Sequence, residues 1–229
     1  MSLNPFRLHR NQNISELIST AIRDLADASF IGDHDDQNNP LPSDPASYNT
    51  DYNSAPNVDA TNNLLPFKID GFMNDPENEW ELRTVLSGGS LLGKSCQSAL
   101  MLSKHSEELQ NHAYLFGKHV ALAWQASTDL EIFKYEQITT DKFSLISAPV
   151  LFHLNHDHTL YQEIKKGTKS IDNIDHSKIF EEVRNGPGLE KTQALQGKHI
   201  LKSMTELYKF PSSDARAALE NVILAMQEI

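Results

Sequence analysis

The sequence predicts an all-α protein, on three observations. Apolar residues recur every three or four positions along most of the chain, which is the period of an amphipathic helix. No stretch shows the alternation of apolar and polar residues that is typical of a half-buried strand. Helix-ending signals, such as Asn185-Gly-Pro-Gly188 and Pro211-Ser-Ser-Asp214, separate the periodic stretches. We therefore expect a single helical domain over residues 13–229, preceded by a flexible N-terminus at 1–12.

The first helix is predicted from about Asn13 to Ser29, and a very different segment follows it. Residues 32–76 are rich in Asn, Asp, Ser and Pro, and no Lys or Arg lies between Arg23 and Lys68. Such a stretch buries too little apolar area to offset the entropy lost on ordering. We predict that 32–76 is a mostly disordered insertion.

Two long helices are predicted next. The first runs from Glu77 to Leu102 and is loosened at Gly88-Gly89 and Gly93, and the second runs from about Ser106 to Phe133. We expect them to form a hairpin. The apolar run 143–153 fits a strand or a helix by periodicity alone, and the helical context favours a helix entered through Pro149. Further helices are predicted near 160–166, 176–184 and 188–210, and after Asp214.

Composition excludes several classes of function. The net charge of −11 disfavours binding to nucleic acid, which rewards clustered Lys and Arg. No apolar run approaches the roughly 20 residues that span a bilayer, so we predict no transmembrane segment. Cys96 is the single cysteine, so no internal disulfide can form, and its place on an apolar helix predicts an unreactive thiol.

Two motifs resemble ligand sites but fail on detail. Asp33–Asn39 is rich in carboxylates, yet a calcium loop starting at Asp33 would need Gly at 38 and Glu at 44, where the chain has Asn38 and Asp44. We interpret it as a solvated loop. The string Gly88-x-x-x-x-Gly93-Lys94-Ser95 matches a phosphate-binding loop, but such a loop follows a strand, and the preceding residues are helical.

Histidines give a weak metal signal. His153, His156 and His158 lie close together and imidazoles are good ligands, but no cysteine or helical His pair supports a metal site, so a surface turn is favoured. His105, His112 and His119 recur every seventh residue and share a helix face. The lysines beside them, Lys104 and Lys118, predict that this face is solvated.

One stretch carries a family resemblance. Phe116-Gly-Lys-His-Val-Ala-Leu-Ala-Trp-Gln-Ala-Ser-Thr-Asp129 resembles the part of the trans-polyprenyl diphosphate synthases that leads into their second aspartate-rich motif. Ser95-Cys96 and Ser147–Phe152 resemble further landmarks, and 91–97 and 210–221 resemble the non-catalytic subunits of this family. The resemblance implies an isoprenoid-synthase-like helical bundle, truncated at the N-terminus.

The same resemblance implies that the metal site has degenerated. In the family, two aspartate-rich motifs face each other and hold Mg²⁺ ions that neutralise the departing diphosphate. Where the second motif reads Asp-Asp-x-x-Asp, this chain has Thr128-Asp129-Leu130-Glu131-Ile132 and keeps one aspartate. The first motif would precede Ile14 and is not in the sequence. We therefore expect no catalytic residue, metal site or cofactor in this chain, and Mg²⁺ in a catalytic partner.

The resemblance also implies a role. We expect a non-catalytic regulatory or scaffolding subunit that pairs with a catalytic polyprenyl diphosphate synthase chain, in the mitochondrial matrix, to make the isoprenoid tail of ubiquinone. Two alternatives remain: a degenerate Mg²⁺-dependent prenyltransferase that uses Asp129 and Glu131, and a truncated protein that sequesters the catalytic chain. The candidate partner interface consists of apolar residues on the predicted helices: Ile14, Leu17, Ile18, Leu25, Leu92, Cys96, Phe116 and Trp124.

Overall fold

The computed structural model describes residues 12–47, 73, 75–135 and 143–227. These residues form α-helices joined by short helical turns and loops, and no β-strand lies among them. The all-α prediction is confirmed for this part of the chain. The helices are α1 (Gln12–Ala28), α2 (Pro76–Thr84), α3 (Ser90–Leu102), α4 (Glu107–Glu131), α5 (Ala148–His156), α6 (Tyr161–Lys165), α7 (His176–Asn185), α8 (Gly188–Leu207) and α9 (Asp214–Ala225).

The long helix α4 is central, because it packs against both α3 and α8. Ser106 caps its start, and the Ser106 hydroxyl accepts a hydrogen bond from the Leu109 N–H. Its buried residues recur at three- and four-residue spacing, and they place one side of the last turn against α2 and α5. The motif residues therefore lie at a junction of three helices.

Helices α3 and α4 form the predicted hairpin, and two glycines let them approach closely. A Cβ on Gly93 would lie 2.8 Å from the Tyr114 ring, and one on Gly117 would lie 2.8 Å from the Leu92 carbonyl oxygen. Any side chain at either position would push the helices apart. The predicted loosening at Gly88-Gly89 corresponds to a π-helical turn, Val85–Gly89, which joins α2 to α3 without a break.

A buried ion pair ties α1 to α3. The Lys94 ammonium donates to the Asp24 carboxylate, which also accepts a bond from the Ser90 hydroxyl. Both charged side chains are almost fully buried, and burial lowers the pKa of Lys94. Lys94 is the lysine of the string that resembles a phosphate-binding loop. Its partner is thus a carboxylate of the same chain, and the rejection of a phosphate site agrees with the structure.

The segment after α1 corrects part of the disorder prediction for 32–76. Arg83 of α2 donates hydrogen bonds to the carbonyl oxygens of Ile31 at 2.9 Å and Leu41 at 3.0 Å, and Leu41 is buried in the core. Composition could not reveal this order, because the groups that hold the segment lie elsewhere in the chain. Residues 48–72 and 74 lie outside the described residues, as do 1–11 of the predicted flexible N-terminus.

The acidic cluster at 33–39 is a folded turn rather than a solvated loop. The Asp35 carboxylate accepts hydrogen bonds from the backbone N–H groups of Gln37, Asn39 and Ile171 at 2.7–3.0 Å, and another from the Asn39 side chain. Asp35 is 6% exposed. Its acceptor sites are taken by the protein, so this cluster is a structural anchor, and the rejection of a calcium loop agrees with the geometry.

The prediction of a solvated histidine face on α4 is wrong for His119 and the neighbouring Lys118. His119 and Lys118 are buried, and the His119 ring stacks on His199 of α8 with the ring centres 5.2 Å apart. Burial lowers the pKa of His199 to about 2, although Glu81 lies 3.8 Å from its Nε2, because the desolvation of a charged ring is larger than this attraction. Adjacent lysines were a poor guide because α8 covers this face.

Candidate functional site at the degenerate motif

Asp129 lies on the buried side of the last turn of α4 and is 7% exposed. Its Oδ2 accepts hydrogen bonds from the Trp80 indole N–H at 2.8 Å and from the Ala148 backbone N–H at 2.9 Å. Its Oδ1 accepts a third from the Gln125 side chain at 2.7 Å. Burial raises the pKa of Asp129, and the three hydrogen bonds oppose this shift. One carboxylate thus joins α2, α4 and α5.

The bond to Ala148 caps α5, which lacks a local cap. Ser147 stands at the N-cap position, but its hydroxyl makes no capping bond. The Asp129 carboxylate accepts from the first N–H of the helix instead, and a negative charge there is favoured by the helix dipole. Pro149 follows and has no N–H to satisfy. Asp129 therefore has a structural role that the motif alone did not reveal.

The other motif residues point elsewhere. Thr128 is exposed, and its hydroxyl donates to the Trp124 carbonyl oxygen at 3.0 Å. Glu131 is also exposed, and residues two apart on a helix are rotated by about 200°, so Glu131 points away from the side of Asp129. Ile132 is half-buried and packs against the apolar cluster around Phe133. The four positions do not converge on one point.

A cleft of about 420 Å³ opens beside Asp129, between α1, α2, α4 and the residues before α5. Leu25, Trp80 and Arg83 are among its lining residues. Arg83 is 7% exposed and donates to the Glu79 carboxylate as well as to the two carbonyls described above. The guanidinium is therefore already engaged, which makes this cleft poorly suited to binding a diphosphate.

Comparison with known proteins identifies relatives. No family model matches the chain. It is 38% identical over 152 residues to All trans-polyprenyl-diphosphate synthase PDSS2 of Homo sapiens. The matched stretch is 64% of this chain and 37% of the human protein. The rat protein of the same name is 29% identical over 228 residues, which is 97% of this chain and 49% of the relative. The chain thus spans between a third and a half of these relatives.

Solved structures agree with the fold. A prenyl pyrophosphate synthase from Arabidopsis matches 96% of the chain and 66% of its own, with a TM-score of 0.66 at 19% identity. A decaprenyl diphosphate synthase from Rhodobacter capsulatus gives a TM-score of 0.67 at 12% identity, over 95% of this chain and 60% of that one. The chain is thus similar in sequence to trans-polyprenyl diphosphate synthases and shares the helical fold of the solved ones. Another relative, the mitochondrial hexaprenyl pyrophosphate synthase of Saccharomyces cerevisiae, is 30% identical over 146 residues, 60% of this chain and 30% of its own.

The motif region of this chain, Thr128 to Ile132, does not fit a Mg²⁺ ion. Such an ion demands near-octahedral oxygen ligands, usually one or two carboxylates with several waters. Asp129 offers both of its oxygens to N–H donors, Thr128 and Glu131 lie on the exposed surface, and Ile132 has no ligand atom. No step of a Mg²⁺-dependent reaction can be assigned to these four side chains.

The candidate interface residues of this chain differ in how far they are buried. Two are packed within the chain: Leu17 is 4% exposed in the core, and Phe116 packs against the cluster of Ala123, Ile200, Leu207, Ile223 and Met226. Leu25 is partly buried and lines the cleft beside Asp129. Leu17 is therefore removed as a contact residue, because helical periodicity finds the apolar side of a helix without saying which neighbour covers it.

The remaining candidates reach the surface to different degrees. Trp124 is 56% exposed and Leu92 is 39% exposed, while Ile14 and Ile18 are half-buried. Cys96 is also partly buried, and burial raises the pKa of its thiol, in agreement with the predicted low reactivity. Sequence reasoning missed Ile22, which is 60% exposed on α1. Its helical spacing from Ile14 and Ile18 was the available signal.

The histidine group at the end of α5 differs from the predicted surface turn. His153 is buried, at 5% exposure, and lies in a second cleft together with His156 and Asp157. His158 belongs to the next helical turn and does not line that cleft. The predicted surface turn is therefore wrong for His153, whereas His156 and His158 are exposed. Glu182 of α7, which no spacing rule could find, lies beside His153 instead.

Proposed function

We propose that the chain is a non-catalytic, regulatory or scaffolding subunit of a heteromeric all-trans-polyprenyl diphosphate synthase that makes the isoprenoid tail of ubiquinone. The observation that carries the proposal is the Asp129 carboxylate, which binds three N–H groups where a catalytic relative would hold Mg²⁺. The names of the human and rat relatives support the reaction, and the fold supports the family.

The proposal divides the chemistry between two chains. The catalytic partner supplies the aspartates, binds Mg²⁺ and transfers the prenyl group, and this chain contributes a surface that stabilises the active conformation of that partner. We propose that the complex works in mitochondria, on the matrix side, and the name of the mitochondrial yeast relative supports the organelle. Among the described residues, no helix combines the length and apolarity that a membrane crossing requires.

The proposed contact surface consists of exposed apolar side chains on α1, α3 and α4. Ile22 and Trp124 are more than half exposed, and Leu91 and Leu92 are exposed by 37% and 39%. Large apolar side chains left in water are costly, and aromatic residues are frequent energetic centres of protein interfaces. Trp124 is therefore the residue on which we expect the complex to depend most.

Co-expression with a catalytic polyprenyl diphosphate synthase subunit tests the proposal. The two chains should co-purify, and the mixture should make long-chain polyprenyl diphosphate that this chain alone does not make. Trp124→Lys should weaken the complex at least about 10-fold. The matched control is Leu201→Lys on α8, where an apolar residue that is 68% exposed, against 56% for Trp124, lies outside the proposed surface.

Three results would contradict the proposal. Product from the isolated chain would support a degenerate prenyltransferase instead. A mixture less active than the catalytic chain alone would support the sequestering role. Absence of any complex would remove both the subunit role and the sequestering role.

A further inference from the structure

The imidazole of His153, at the C-terminal end of α5, is buried without a hydrogen bond. Its side chain is 5% exposed, and neither Nδ1 nor Nε2 has a hydrogen-bond partner among the described residues. Leaving a buried polar group unpaired costs about 1–3 kcal/mol. Such a group in a native protein calls for a physical explanation, and an ion or ligand is one of the common ones.

Two carboxylates stand beside this ring. Asp157 follows α5 directly, and Glu182 comes from the facing helix α7. One ligand atom from each of the three side chains lies within 4.8 Å of the other two. The group lines a cleft of about 490 Å³, which also contains His156 and Glu181, so an ion from solvent has access.

The existing contacts leave both carboxylates able to accept a further bond. The Asp157 Oδ1 accepts the Thr159 N–H at 2.9 Å, and an ionised carboxylate has about four acceptor sites. The Glu182 carboxylate lies 3.8 Å from the Lys178 ammonium, which is nearer to Glu163 at 3.6 Å. The Glu182 ion pair is long, and Thr159 alone does not fill the acceptor sites of Asp157.

Gly186 at the end of α7 allows the ring to occupy this place. A Cβ at this position would lie 2.1 Å from the His153 Nδ1 and 2.4 Å from its Cε1. Even an alanine would therefore displace the imidazole. The close fit holds the ring between α5 and α7, next to the Glu182 side chain that reaches it from α7.

We propose that His153, Asp157 and Glu182 form a binding site for one divalent transition-metal ion of the Zn²⁺ type. Imidazole nitrogen and carboxylate oxygen are ligands that Zn²⁺ uses, whereas Mg²⁺ and Ca²⁺ prefer oxygen alone. Two carboxylates balance the charge of the ion. Ligands at 2.0–2.2 Å from one ion lie about 3.4 Å apart, so the half-exposed Asp157 and Glu182 need to move inward only slightly.

The site is independent of the proposed subunit role. Its cleft shares no lining residue with the cleft beside Asp129. A competing explanation for the cluster is a protonated His153 that forms an ion pair with the two carboxylates. Burial lowers the pKa of His153, which favours the neutral ring, and neutral imidazole is the form that binds metals.

Calorimetric titration of Zn²⁺ into the chelator-treated 229-residue chain tests the proposal. We expect one ion per chain, and Glu182→Gln should weaken that binding at least about 10-fold, since even outer-shell changes cost 10-fold to 100-fold. The matched control is Glu181→Gln, the same change in the adjacent residue of the same cleft. Its affinity should stay within about twofold of the parent, because Glu181 is not one of the three ligands.

Two outcomes would overturn the proposal. One is no stoichiometric binding up to about 100 μM Zn²⁺, which would favour the ion-pair explanation. The other is equal binding by Glu182→Gln and Glu181→Gln, which would place the ion on other histidines of the surface. Circular dichroism of both variants without metal should match the parent, so a loss of binding in Glu182→Gln alone reports the site and not the fold.

Discussion

Two carboxylate-containing regions of this chain differ in how their hydrogen bonds are used. At the end of α4, Asp129 resembles part of an active-site motif, yet three N–H groups occupy its oxygens. Between α5 and α7, Asp157 and Glu182 belong to no known motif, yet they face a buried imidazole that lacks a partner. The carboxylate that resembles a known motif is hydrogen-bonded within the protein, whereas the imidazole of His153 in the other region is not.

The difference shows how a retained motif residue can change its role. An aspartate that binds metal must keep at least one acceptor site open and directed at the ion. Asp129 instead caps α5 and fixes the indole of Trp80, so its loss would damage the fold whether or not it ever binds an ion. Retention of one aspartate is therefore weak evidence for retained catalysis.

The largest expected effect on stability is at Asp129, whose oxygens accept three hydrogen bonds. Asp129→Asn replaces one acceptor oxygen by a donor, which opposes the N–H groups of Trp80, Ala148 or Gln125. We expect the free energy of unfolding to fall by about 2–3 kcal/mol, measured by chemical denaturation. Glu131→Gln, the control on the exposed side of the same turn, should change it by less than about 0.5 kcal/mol. Equal effects of the two variants would contradict a structural role for Asp129.

A smaller effect concerns pH. The folded state holds His199 at a pKa of about 2, below its ordinary 6.5, so the unfolded chain binds more protons between these values. Its contribution to stability is present above pH 6.5 and is lost as the pH falls below it, by at most about 1.4 kcal/mol per pH unit. Asp129 has the opposite effect on the pH dependence of stability. Burial raises its pKa, so protonation as the pH falls removes the free-energy cost of burying its charge.

The measurement is chemical denaturation of the parent and of His199→Gln between pH 7 and pH 5. The variant should lose less stability over this range than the parent does. The exposed His158→Gln serves as the control and should follow the parent. A parent whose stability does not change over this range would contradict the assignment of a neutral, buried His199.

The smallest effect on stability is expected at Glu182, beside the unpaired imidazole of His153. Without metal, Glu182→Gln removes only a charge 3.8 Å from Lys178 on a half-buried side chain, and exposed ion pairs of this kind contribute about 0–1 kcal/mol. We expect thermal unfolding of the metal-free variant to stay within about 2 °C of the parent. A much larger drop would mean that Glu182, like Asp129, is already bound within the protein, and the contrast between the two regions would fail.

Much of the fold could be predicted from local sequence. Periodicity and end signals predicted the helices from α1 to α9, because helix formation depends on neighbours within a few residues. The disorder prediction failed for 32–47 because its anchors, Arg83 and Ile171, are distant in sequence. Burial of His119 and Leu17 was missed for the same reason, since α8 and the core residues that cover them are far along the chain.

The sequence predicted that the metal motif has degenerated, but it did not predict the hydrogen bonds that Asp129 accepts. The motif comparison showed which ligands are missing at Thr128 and Ile132. It could not show that Asp129 is bound by Trp80, 49 residues earlier, or by the backbone of Ala148. Gln125, four residues before Asp129 on the same helix face, was the one partner that helical spacing could have predicted.

The most direct test of the account is polyprenyl diphosphate synthesis by a reconstituted complex that contains Asp129→Asn in this chain. The assay is run with Mg²⁺, an allylic diphosphate and isopentenyl diphosphate, at a temperature where the variant is folded. If Asp129 holds the fold and the partner supplies the metal site, the complex should keep activity within about twofold of the parent complex. A loss of about 100-fold or more, with the complex intact, would show that Asp129 takes part in catalysis.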